Sequence, residues 1–178
     1  MKKIVICAWA VMLLLTVGAS AAPIGVGVVA GPVVPIVQAD QGTGFAYGLK
    51  VRLHLAEPLI LEPNLTLGGY GETTIAGVGT RDGSSVNHYG LDLVIGGGMA
   101  STGPKPLMFI GGAIYNVKRD GDVTVNKSGW SFGLGLAVGL MSTFDIDLRG
   151  RVNIVASEGS ASKKSAEITA GATYYFGS

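Results

Sequence analysis

Charged residues fall on every second position in two stretches of the chain. Lys50, Arg52 and His54 alternate with Leu49, Val51, Leu53 and Leu55. Asp145, Asp147, Arg149 and Arg151 alternate with Phe144, Ile146, Leu148, Gly150 and Val152. Successive side chains of a strand point to opposite faces. Each stretch therefore puts ions on one face and large apolar groups on the other. Glu62, Asp92, Lys118 and Glu167 are read on the same small, polar face of other segments. With His54 set aside, five cations then meet five carboxylates. Gathered in an interior, such groups must be paired or hydrated, because an unpaired buried charge is expensive. If the chain turns about Glu57, Arg52 falls opposite Glu62. Two uses are open to this network: it plugs and specifies the structure around it, or it lines a narrow ion path.

Catalysis has little support. His54 is flanked by Leu53 and Leu55, and His88 follows Asn87 at the start of a segment. Neither belongs to a His-x-Ser pattern, and no metal-ligand spacing is present. Gly25, Gly27 and Gly31 resemble a dinucleotide fingerprint but lack the preceding strand and following helix that give such glycines their role. The sequons at Asn64 and Asn126 read as chance matches. No catalytic, cofactor-binding or metal residue is therefore assigned, and no cofactor is expected.

The elements that must carry these residues follow from composition and periodicity. Glycine supplies 29 of 178 residues, where roughly 7% is usual. Charged residues are 14%, against about 25% on average, and mean hydropathy is +0.45. The chain is too apolar for disorder and too rich in interior glycine for long helices. A near-neutral charge gives no sign of a nucleic-acid partner. Met1 to Lys3, the apolar run Ile4 to Val17 and the small residues Gly18 to Ala21 follow the plan of a secretory signal peptide. Residues 1–21 are read as that peptide and 22–178 as one domain. The single cysteine, Cys7, lies in the leader, so disulfides play no part in the rest.

Eight alternating segments occupy the rest of the chain: Ile24 to Gly31, Thr43 to Leu55, Leu59 to Thr73, His88 to Ala100, Leu107 to Lys118, Trp130 to Leu140, Phe144 to Val155 and Ser165 to Phe176. Connections after the even-numbered segments are short, and those after the odd-numbered ones are longer and mostly polar or glycine-rich. The apolar stretch Pro32 to Val37 is the exception; it extends the first strand, folds over the mouth or meets a partner.

One face of nearly every segment is large and apolar, while the other is glycine, alanine, serine and charge. In a soluble barrel the small face would be outside, with too few charges for solubility. In a membrane barrel the large face meets lipid and the small, polar face fills the lumen. Strands of about 9–11 residues suffice to cross. Eight of them leave an interior just wide enough for side chains. The fold class expected is all-β: a transmembrane, eight-stranded, antiparallel up-and-down barrel. Aromatics support it. Phe109, Phe144, Tyr174 and Phe176 fall near the short-turn rim, and Phe45, Tyr47, Tyr89, Trp130 and Phe132 toward the other, as two lipid-interface belts.

The signal peptide, the eight-segment plan and the last strand resemble the small eight-stranded outer-membrane barrels of Gram-negative bacteria, the opacity, attachment-invasion and porin-like group. That strand alternates Ile168, Ala170, Ala172, Tyr174 and Phe176, with Gly177 and Ser178 following the terminal aromatic. The resemblance implies an outer-membrane location with both termini periplasmic, contact with outer-membrane lipid and lipopolysaccharide, and recognition of the last strand by the barrel-assembly machinery. It implies no single activity, since a fold does not specify function. A structural or surface-interaction role, with or without a porin-like ion path, is the first expectation. An adhesin or host-factor binder acting through the long loops is the alternative, and a lipid A-modifying enzyme ranks below both.

Overall fold

The computed structural model describes residues 23–36, 41–77, 79–97, 103–119, 124–156 and 162–176. The expected signal peptide lies outside them. Among the described residues ten strands are present: β1 (Ile24–Pro35), β2 (Gly42–Ala56), β3 (Leu59–Gly71), β4 (Thr73–Ile75), β5 (Gly79–Arg81), β6 (Ser84–Gly96), β7 (Gly103–Arg119), β8 (Val125–Met141), β9 (Phe144–Val155) and β10 (Lys163–Phe176). Eight of them close an antiparallel barrel in the order β1-β10-β9-β8-β7-β6-β3-β2. Closure is made by β1 against β10, from Ile24 opposite Phe176 to Pro35 opposite Ser165. β4 and β5 form a separate two-stranded hairpin between β3 and β6, inside what the sequence presents as one long loop.

The strand boundaries differ from the sequence reading in three useful ways. β1 continues through Pro32 to Pro35, so most of the apolar stretch is strand; Val37 lies outside the described residues. β6 begins at Ser84, which places His88 inside the strand instead of at its start. β7 and β8 each run 17 residues, more than a tilted crossing needs; β7 begins earlier than the sequence segment, at Gly103 on the short-turn side, and β8 begins earlier, at Val125 on the long-loop side. At the opposite rim, Gly96 and Gly97 adopt φ of 90° and 62°, a region that glycine enters without a Cβ penalty. Their N–H groups donate to the carbonyls of Pro58 and Pro106, and this turns the chain out of β6.

The barrel is apolar outside and polar inside. Leu134 is 66% exposed and Leu148 is 58% exposed, whereas Arg52 is 0% and Glu62 is 1%. Closure leaves no backbone edge unpaired along the barrel wall, the condition for crossing a bilayer with strands. Phe45, Tyr47, Tyr89, Trp130, Phe132, Tyr174 and Phe176 are exposed on the outer wall, and Phe144 is partly exposed. Trp130 stacks on Phe132 at 5.6 Å, and Tyr174 meets Phe176 edge-on at 4.9 Å.

Phe109 departs from the expected belt: it is buried inside the barrel. It joins Ile60, Val94, Leu107 and Ala137 in an apolar cluster, placed toward the short-turn end by the positions of these residues in β3, β6, β7 and β8. The reason is visible in β7. The run Leu107-Met108-Phe109-Ile110 is large on both faces, so alternation alone does not say which face is inward. Odd positions point in. The same parity turns Lys118 outward and exposed, away from the lumen network in which the sequence reading placed it.

Candidate functional site

The lumen is built in layers. β2 contributes Lys50 and Arg52, β3 contributes Glu62, and β9 contributes Asp145, Asp147 and Arg149. Arg52 is the hub. Its Nε donates to Glu62 Oε2 at 2.9 Å. Its Nη1 donates to Asp145 Oδ2 at 2.8 Å and to the Tyr175 hydroxyl at 2.6 Å. Its Nη2 reaches Asp147 Oδ2 at 3.2 Å. Arg149 grips both oxygens of Glu62, at 2.5 and 2.9 Å, and donates from Nε to Asp147 Oδ1 at 2.7 Å. Lys50 Nζ completes the layer with an ion pair to Asp147. Two-pronged guanidinium–carboxylate contacts of this kind add geometric specificity to charge.

Toward the long loops, Arg151 Nη2 pairs with Asp92 Oδ2 at 2.5 Å and its Nη1 donates to Ser131 Oγ at 2.9 Å. Asn64 Nδ2 also donates to Asp92, at 3.0 Å. Above this, Glu167 accepts from Asn153 Nδ2 at 2.6 Å, and the Tyr115 hydroxyl donates to Asn153 Oδ1 at 3.0 Å. Below, the apolar cluster supports the ions directly. The Phe109 ring centroid lies 4.7 Å from Arg151 Cζ and 5.7 Å from Arg149 Cζ, a cation–π arrangement strengthened by desolvation.

Lys50, Arg52, Arg149 and Arg151 each have a carboxylate partner. The structure therefore brings together Lys50, Arg52, Glu62, Asp92, Asp145, Asp147, Arg149 and Arg151, with Glu167 in the adjoining polar layer. His54 faces the same interior, its ring edge-on to Tyr175 with centroids 6.0 Å apart. His88 is buried beside Tyr115, 5.3 Å between ring centroids. Both imidazoles point away from the lipid face. On the long-loop side, a cavity of about 20 Å³ is lined in part by His88, Tyr115, Asn153 and Glu167. That is room for about one water.

Inward glycines make the packing feasible. A Cβ at Gly111 would meet Asp92 Oδ1 at 1.9 Å, and one at Gly133 would meet Phe109 Cζ at 2.3 Å. A Cβ at Gly171 would meet Lys50 Nζ at 2.8 Å. The long side chains occupy the space these glycines leave open.

Sequence reasoning missed Phe109, Leu107, Ile60 and Val94 as interior groups, together with Tyr175, Tyr115 and Asn153 as network partners. A signal for the first four was present. Leu59-Ile60-Leu61, Leu93-Val94-Ile95 and Leu107 to Ile110 are uninterrupted apolar runs close to the short turns. Such a run marks a strand buried on both faces, here by lipid on one side and the cluster on the other.

This closed, sequential eight-stranded barrel is shared with solved structures. The chain has the fold of the small eight-stranded outer-membrane barrels. Neisserial surface protein A matches at a TM-score of 0.65 and 16% identity, over 89% of this chain and 99% of that one. The N-terminal β-barrel domain of Pseudomonas aeruginosa OprF matches at 0.58 and 16%, over 85% and 97%. Ail, the attachment invasion locus protein of Yersinia pestis, matches at 0.51 and 15%, over 87% and 97%. No protein-family model and no curated protein sequence matches the chain.

Proposed function

We propose that the protein is an outer-membrane barrel with a plugged lumen, acting structurally or through contacts made at the cell surface. The observation that carries this reading is the ionic layer: Lys50, Arg52, Glu62, Asp147 and Arg149 hold one another across the barrel interior and are buried. A fixed, mutually paired set of this kind specifies a barrel and blocks solutes. Both ends of the barrel chain lie at the short-turn rim, which in outer-membrane barrels is the periplasmic one. The leader-like residues 1–21 suit export to that membrane, and the alternating last strand suits recognition by the assembly machinery.

Planar-bilayer recording tests the plug. The refolded barrel is expected to give no stable single-channel steps in salt. Regular ohmic steps from the wild-type protein would instead establish a porin-like path past the lumen ions.

A surface-binding role has a specific observation in its favour. The β4–β5 hairpin enlarges one long loop, and a polar cleft of about 520 Å³ opens at its base, lined in part by Tyr70, Glu72, Asp82, Ser85 and Lys118. Deleting residues 73–81 is expected to leave heat-modifiable gel mobility intact, because the hairpin lies outside the barrel sheet. The same deletion should lower attachment of cells displaying the protein to host cells. Undiminished attachment would remove this hairpin from the surface role.

A further inference from the structure

The outer wall is not uniformly bulky. Two cross-strand rows pass over β3, β2, β1 and β10. One reads Leu67, Tyr47, Ala30, Ala170, and the other reads Leu65, Leu49, Val28, Ala172. Leu148 and Ile146 continue the two rows on β9. Large groups thus stand on both sides of a floor made by Ala30, Ala170 and Ala172. The result is a groove of about 580 Å³ with an almost wholly apolar lining. It opens onto the apolar belt, where the surrounding medium is hydrocarbon.

Its depth in the membrane follows from β10. Ala170 lies six residues from Phe176 at the short-turn rim and six from Lys164 at the other. Six residues span roughly 20 Å at about 3.3 Å each, or about 15 Å along the normal for a strand tilted by about 40°. The groove therefore crosses the bilayer midplane, and Lys164 stands about half a hydrocarbon thickness above it. Lys164 is exposed and shares the outward parity of Ala170 and Ala172. Lys163 adjoins it.

We propose that this groove seats one acyl chain of a phosphorylated lipid, with the anionic headgroup phosphate at Lys164. The inference rests on reading the outer wall as lipid-facing, and it adds a lipid class and a position to that reading. Apolar complementarity holds the chain in the groove. The cation at headgroup depth then favours an anionic over a zwitterionic headgroup, since juxtamembrane charges attract anionic lipid.

The chain from residue 22 onward, refolded into phosphatidylcholine vesicles, provides the test. Heat-modifiable mobility in the vesicles reports the barrel reading separately. Spin-labelled phosphatidic acid or spin-labelled phosphatidylcholine then reports the motionally restricted fraction. The wild type is expected to restrict phosphatidic acid more. Ala170→Leu fills the floor, and the part of the restricted fraction that the groove contributes should fall for both lipids by roughly fourfold or more, the factor for one displaced methylene. Lys164→Gln should abolish only the preference for phosphatidic acid. Equal restriction of both lipids by the wild type, or values unchanged in both variants, would overturn the proposal with the barrel intact. Efficient disulfide dimerisation of an Ala172→Cys variant would assign the groove to a second copy, and would overturn it as well.

Discussion

Arg52→Ala is expected to destabilise the folded barrel by about 3–5 kcal/mol, the usual cost of removing one partner of a buried ion pair. The loss comes mainly from what remains. Glu62, Asp145 and Asp147 all point at the vacated position, and the Tyr175 hydroxyl loses the donor at 2.6 Å. Three buried carboxylates would lose the cation they share, although Glu62 keeps Arg149 and Asp147 keeps Arg149 and Lys50. The measurement is the urea midpoint of the refolded barrel in detergent, followed by the emission of Trp130. Trp130 is the only tryptophan after the leader, and it faces lipid. A double variant, Arg52→Met with Glu62→Gln, removes opposite charges together. Its cost should fall below the sum of the two single costs by about 0.5–3 kcal/mol, the range for residues in one network. An Arg52→Ala barrel with an unchanged midpoint would show that the ions contribute nothing to holding it closed.

Phe109→Ala carries the second large expectation, a loss of about 3–5 kcal/mol, as for a buried phenylalanine truncated in a packed core. Phe109 packs in the cluster with Ile60, Val94, Leu107 and Ala137. It lies beneath two arginines and fills the space opposite Gly133. Truncation opens a cavity and removes the aromatic face that helps anchor Arg151. Phe132→Ala is the matched control, because Phe132 lies on the outer wall, where lipid closes over the site at small cost. Equal losses in the two variants would contradict the inward assignment of Phe109. The contrast also decides between the two faces of β7, since an outward Phe109 would behave as Phe132 does.

The pairing of Arg52 with Glu62 was legible because it is local. One short turn at Glu57 and Pro58 brings β3 back along β2, so ten residues of separation suffice to work out the register. The pairs of Arg149 with Glu62 and of Arg151 with Asp92 span 87 and 59 residues. Their choice of partner depends on the shear of the closed barrel and on which layer each strand enters, and neither is a property of one hairpin. Lys118 shows the same limit. Its strand is apolar on both faces, and its direction was decided only by pairing with β6 and β8.

Residue order by itself determined how many strands close the barrel, which face of β2, β8, β9 and β10 meets lipid, and that the charges gather inside; it did not show the β4–β5 hairpin. A period of two is a local covalent consequence of the extended backbone. The remaining decisions needed the closed sheet. Closure chose which side of β7 points in, extended β1 through Pro35, and joined Arg52 to four partners from three strands. It also aligned Ala30, Ala170 and Ala172 into one groove. Each of these is a relation between strands far apart in the chain. Only the cross-strand register, summed around the barrel, brings such residues into one layer or one row.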